Sequence, residues 1–134
     1  MGRIFFTAFL LFAMSTTSGY AAFGRTQPIY NVQDKAAFTG SGQPTDAQQV
    51  HDAIVAGATS KGWQVRKVGD GHLVAQIFVR SHMAEIDITY DDDSYSIVYK
   101  NSTNLLYDGS TIHRNYNKWI KFMIHRIDDA MRNN

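Results

Sequence analysis

The sequence predicts an α+β domain: a four-stranded antiparallel meander sheet with one face covered by an N-terminal and a C-terminal helix, in the order α-β-β-β-β-α. Three observations carry this. Between Trp63 and Lys100 apolar residues recur with a period of two, in four short runs separated by turn sequences. After Ile112 the period changes to three and four. The chain has 134 residues, 44% hydrophobic and 19% charged, a size and balance suited to a single core.

The opening residues read as a secretory signal peptide rather than as part of the domain. Met1-Gly2-Arg3 is a short basic n-region, and Ile4 to Met14 is an apolar run of eleven residues broken only by Thr7. Eleven residues are too few to cross a hydrocarbon core of about 30 Å as a helix, but suit an h-region. Cleavage between Ala21 and Ala22 places Gly19 and Ala21 at the two small-residue positions. The expected organisation is therefore a signal peptide at 1–21, an irregular arm at 22–44 and one α+β domain at 45–134. The expected address is a bacterial periplasm or the extracellular space.

The arm contains Gly24, Pro28, Gly40, Gly42 and Pro44 and shows no sustained period, although Ile29 to Val32 is able to dock as a short edge strand. The first helix is signalled by Thr45-Asp46-Ala47-Gln48, read as a capping box with Thr45 as cap, and by the stripe Val50, Ala53, Ile54, Gly57, Ala58. Those residues are small, so this helix should approach its neighbour closely. Gly62 stops it.

Trp63 to Val68 forms the first strand, and Gly69-Asp70-Gly71 turns the chain. His72 to Arg80, His82 to Tyr90 and Ser94 to Lys100 follow, the last two joined by Asp91-Asp92-Asp93. On the solvent side, a 1-2-3-4 order sets Glu85 and Asp87 between the basic strands that carry Arg66, Arg80 and Lys100. Ile112, Tyr116, Trp119, Ile120, Met123, Ile127 and Ala130 then give the final helix an apolar face to cover the sheet.

The composition excludes more functions than it suggests. Without cysteine there is no disulfide, thiolate zinc site, iron–sulfur cluster or cysteine nucleophile. Formal charge is +1, and removal of Arg3 with the signal peptide leaves 12 basic and 12 acidic residues. That balance gives no ground for electrostatic capture by nucleic acid or anionic lipid. No nucleophile has a base and an orienting group at local spacing, so no catalytic residue, metal or cofactor is assigned. Glu85 and Asp87 share a strand face at a separation that paired-carboxylate hydrolases use, but flanking cations favour ion pairing instead.

Two groups of residues remain as candidates. Val74, Phe78 and Val98 fall on the supposedly wet sheet face and would together form an apolar interaction patch. Arg80, His82, Asn104, Tyr107, His113 and Asn117 lie near strand ends and the start of the last helix. They are expected to form a buried polar network, with a small-ligand or metal site built on His82 and His113 as the alternative.

Several stretches resemble small proteobacterial envelope proteins of uncharacterised activity, many of them predicted lipoproteins. The residues that carry the resemblance are Pro28 to Val32, Gly62-Trp63, Arg80 to Ala84, Tyr95 to Tyr99, Ser102 to Tyr107 and Ile112 to Ile120. The resemblance implies an envelope location and no particular activity. This chain lacks the lipid-bearing cysteine, so a membrane anchor after cleavage is not implied. The expected function is a non-enzymatic periplasmic module that binds an envelope protein or itself. A small-ligand or metal-binding protein is the alternative, and a small cell-wall-acting hydrolase ranks third.

Overall fold

The computed structural model describes residues 24–134, so the expected signal peptide and the Ala21/Ala22 cleavage lie outside the described residues. The elements in chain order are β1 (Thr26–Pro28), β2 (Val32–Ala36), α1 (Ala47–Ser60), β3 (Gln64–Gly69), β4 (His72–Val79), β5 (His82–Tyr90), β6 (Ser94–Thr103), β7 (Thr111–His113) and α2 (Arg114–Arg132). The predicted antiparallel meander is present as β3 to β6. The sheet nevertheless has five strands, not four, in the order β2-β6-β5-β4-β3.

The extra strand comes from the arm, which is not irregular. β2 pairs antiparallel with β6, and β1 pairs with β7 in a separate two-stranded ribbon. Both strands lack a two-residue hydrophobic period for identifiable reasons. β1 is the polar triplet Thr-Gln-Pro, and β2 has a bulge between Val32 and Lys35 where Asp34 adopts φ +50°. Val32 is the one buried side chain of β2.

α1 begins one residue later than the sequence suggests. Asp46, not Thr45, is the cap: its carboxylate accepts from the Gln49 N–H at 2.8 Å, and Gln49 Oε1 accepts from the Asp46 N–H at 3.0 Å. The Thr45 hydroxyl instead donates to the Asp92 carbonyl, tying the helix start to the β5–β6 turn. At the other end Gly62 takes φ +89°, its N–H reaches the Thr59 carbonyl and the Trp63 N–H reaches the Ala58 carbonyl. This is a Schellman stop, and it delivers Trp63 into the core as β3 begins.

Both helices lie on the same face of the sheet. Leu73, Ala75, Ile77, Ala84, Ile86, Ile88, Tyr95 and Ile97 project from that face into one core with Val50 and Ile54 of α1 and Tyr116, Ile120, Met123 and Ile127 of α2. The helices meet at Gly57, where a Cβ would stand 2.6 Å from both the backbone N and the Cγ1 of Ile127. The small-residue stripe of α1 therefore produces the close approach its composition implies. α2 is fixed to the sheet edge by the Tyr95 hydroxyl, which donates to Asp128 Oδ1 at 3.0 Å, while Lys35 of β2 pairs with the other oxygen at 3.2 Å. Burial, followed by the nearby Asp128 charge, pushes the Tyr95 phenol far above its ordinary range.

Candidate functional site

The uncovered sheet face carries an ion-pair lattice. Arg66 on β3 reaches over β4 to Glu85 on β5 at 3.9 Å. Asp87 lies between His72 Nε2 at 2.6 Å and Lys100 Nζ at 3.7 Å. Cross-strand charge alternation was legible in the sequence, and these pairs hold the acidic strand between its neighbours.

That lattice divides the three residues expected to form an apolar patch. Val74 stands in register between Arg66 and Asp87 and is only 2% exposed, so it presents almost nothing to a partner. Val98 lies beyond Asp87 on β6 and is half-buried. Phe78 alone projects, with 63% of its surface exposed, and its register partner on β5 is the half-buried Met83. The accessible apolar surface is thus the Phe78/Met83 pair near the β4–β5 turn, next to Arg80.

Arg80 is not part of a buried network. β4 ends at Val79, and Arg80 forms the two-residue turn with Ser81 at φ +56°, exposed to solvent. A left-handed arginine is strained relative to glycine, and Asn104 and Leu106 in the β6–β7 loop share that conformation, at φ +59° and +57°. The two turns are stitched together. Asn104 Nδ2 donates to the Ser81 hydroxyl at 3.0 Å, and His82 Nδ1 donates to the Asn104 carbonyl at 2.7 Å.

His82 and His113 meet, as their placement suggested, with rings stacked 6.5 Å apart. Their hydrogen bonds define opposite tautomers. A carbonyl acceptor requires a proton on His82 Nδ1, whereas His113 Nδ1 accepts from the Asn115 N–H at 3.2 Å as the cap of α2 and is unprotonated. Burial lowers the His113 pKa, and repulsion from His82, then Arg114 and Arg25, lowers it further. A metal on His113 Nε2 would call for a proton on Nδ1 and the loss of the helix cap.

Tyr107 packs its ring 4.0 Å from that of Tyr99, and Tyr99 in turn meets Tyr116 edge-on at 5.8 Å. Tyr99, Ser102 and Tyr116 were not singled out as site residues. The Tyr99 and Ser102 hydroxyls bond at 2.7 Å, and the buried Tyr116 hydroxyl has no hydrogen-bond partner. The turn after Tyr107 is organised by Asp108. The Thr111 and Ser110 N–H groups hold its carboxyl down to about 2.

Asn117 belongs elsewhere. It is buried on α2 under the arm, accepting from the Tyr30 N–H at 3.0 Å and donating to the Pro28 carbonyl at 2.9 Å and Gln27 Oε1 at 3.2 Å. The six expected network residues therefore divide. His82, Asn104 and His113 form one connected group with Tyr107 in the adjoining loop, Asn117 clamps the arm and Arg80 faces solvent.

Nothing assembled here resembles a nucleophile with its base. Among the described residues no histidine is hydrogen-bonded to a hydroxyl: His51, His72 and His125 contact carboxylates, His82 a carbonyl and His113 an amide. The one cluster of three potential metal ligands among them is the exposed turn Asp91-Asp92-Asp93, where Asp91 already accepts from the Asp93 and Ser94 N–H groups. No protein-family model matches the chain, and neither does any curated protein or solved structure.

Proposed function

We propose that this chain is a non-enzymatic periplasmic protein-interaction module that docks another envelope protein, or a second copy of itself, through the Phe78 end of its open sheet face. The observation that carries this is the Phe78/Met83 pair. An aromatic side chain stands exposed on a strand, beside an apolar partner, with the Arg66–Glu85 ion pair next along the same sheet face. An aromatic anchor inside a polar rim is the usual anatomy of an interface hot spot. The export signal and the resemblance to envelope proteins support the address.

Photo-crosslinking from position 78 in intact cells tests the reading. The expected result is a discrete adduct, either a heteromer or a dimer of the chain, that competition by the unmodified protein reduces. Phe78→Lys should abolish self-association or capture of that partner while leaving the melting temperature unchanged. A ladder of nonspecific adducts, or a partner retained by Phe78→Lys, would remove this surface from consideration.

A further inference from the structure

Net charge conceals a local concentration of unpaired cations. Among the described residues Lys35, Arg66, Lys67, Lys100 and Arg132 are ion-paired, whereas Arg25, Lys61, Arg80, Arg114, Lys118, Lys121 and Arg126 have no carboxylate within ion-pair distance. Four of these seven, Lys61, Arg114, Lys118 and Lys121, gather on the outer side of α2 and the adjoining end of α1, while Arg80 lies at the β4–β5 turn. Arg114, Lys118 and Lys121 line a groove of about 420 Å³ together with Gln27, Asn115 and Phe122, and none of its lining residues is acidic. No acidic residue occupies the first turn of α2 either. Arg114, the cation of that turn, opposes the helix dipole and adds nothing to helix stability there.

Two aromatic rings sit among these cations. Phe122 is 47% exposed, with Lys61 Nζ 5.4 Å and Lys118 Nζ 5.6 Å from its ring centre. Tyr30, exposed on the arm, has Lys121 Nζ 5.2 Å from its ring. Exposed rings with lysines beside them match a membrane interface, where rings rest at headgroup level and ammonium groups reach phosphates. The cations are spaced along the helix, from Arg114 to Lys121 over roughly 10 Å at 1.5 Å per residue. A surface of repeated phosphates can neutralise all of them at once, whereas a single bound anion cannot.

We propose that the outer face of α2 is a peripheral docking surface for a bilayer containing anionic phospholipid, with Arg114, Lys118 and Lys121 meeting headgroup phosphates and Phe122 entering the interface. No helix among the described residues is long and apolar enough to cross a membrane, so this is contact with the surface, not insertion across it. It is independent of the sheet-face reading, because Phe78 lies on the opposite side of the sheet from α2.

Co-sedimentation of the purified protein with phosphatidylcholine vesicles, with and without one-third phosphatidylglycerol, tests the proposal. Binding is expected only to the anionic vesicles and should be lost in about 1 M salt, where the Debye length falls to roughly 3 Å. Neutralising one lysine near the surface weakens partitioning about fivefold, so Lys118→Gln/Lys121→Gln should lose about 25-fold, and the double glutamate variant more. Lys118→Arg/Lys121→Arg should retain binding, and unchanged melting temperatures show that the variants are folded. Equal binding to both vesicle types, or binding unaffected by the double glutamine or the double glutamate variant, would overturn the proposal. So would displacement of the protein from vesicles by polyglutamate at a lower charge concentration than the lipid, since that result would assign the groove to an acidic protein segment. Phe78→Lys should leave vesicle binding unchanged, which separates failure of this surface from failure of the other.

Discussion

Asn117 Oδ1 accepts a 3.0 Å hydrogen bond from the backbone N–H of Tyr30, joining the middle of the arm to the first turn of α2. The same amide donates to Pro28 and Gln27, so one buried side chain meets backbone groups that no strand partner reaches. Asn117→Ala leaves the Tyr30 donor and the Pro28 acceptor unpaired at a buried seam. The expected loss is about 1–3 kcal/mol of unfolding free energy. Amide exchange should quicken first in residues 26–36, before the meander is affected. Uniform loss of protection across the sheet would show instead that the arm and the meander open as one unit.

The crossing of the helices at Gly57 gives a second expectation. Gly57→Ala gains helix propensity of up to about 1 kcal/mol, yet forces a methyl group against the Ile127 backbone. We expect a net destabilisation of about 1–3 kcal/mol in denaturant unfolding. Ile127→Val in the same chain should not rescue it, because the Ile127 backbone N and Cα lie as close as the side chain.

His113 makes stability depend on pH. Its folded pKa is lowered, so the folded state holds the proton less well than the unfolded chain. Its contribution is complete above the unfolded value of about 6.5 and is lost as pH falls from there through the depressed folded value. Protonation also replaces the acceptor at Nδ1 by a donor and adds positive charge at the start of α2. The melting temperature should therefore fall between about pH 7 and pH 5, and His113→Asn, which keeps a capping acceptor without a titratable ring, should flatten that slope. An unchanged slope in the variant would assign the dependence to other groups.

The two ends of the expected apolar patch should behave oppositely. Val74→Ala removes buried methyl groups beneath the ion-pair lattice and should cost about 1–2 kcal/mol. Phe78→Ser changes an exposed side chain and should stay within about 0.5 kcal/mol of the parent. Chemical denaturation of the two variants measures the contrast directly.

Most of the scaffold was legible because its signals are local. Period-two runs, the Gly69-Asp70-Gly71 turn and the apolar stripe of α2 each lie within a few residues of one another, and β4, β5 and α2 fall close to where those signals place them. Elements that depend on remote partners were not. β2 is held by β6 and interrupted by a bulge, and β7 is a triplet paired only with β1. β6 runs past Lys100 to Thr103 because Lys100 is bulged out of the ladder, opposite the step from Glu85 to Ile86, which breaks the alternation that would have extended it. The site residues show the same division. That His82 and His113 meet follows from strand parity and the helix start. That Val74 is covered depends on Arg66 and Asp87 from two other strands, a matter of register that alternation along one strand does not contain.

The pairing of the arm with the far end of the chain also bears on the order of assembly. Tyr30 and Asn117 are 87 residues apart, while the hairpins of the meander close over two or three residues. Loop-closure entropy therefore favours the meander as the earliest structure, with α1 and α2 settling onto it and the arm arriving last. A chain emerging from its N-terminus presents β1 and β2 first, yet their partners β7 and β6 are among the later segments to appear. The edge of β6 stays open until that meeting, so the longest strand of the sheet passes through a stage in which its backbone is available to other chains.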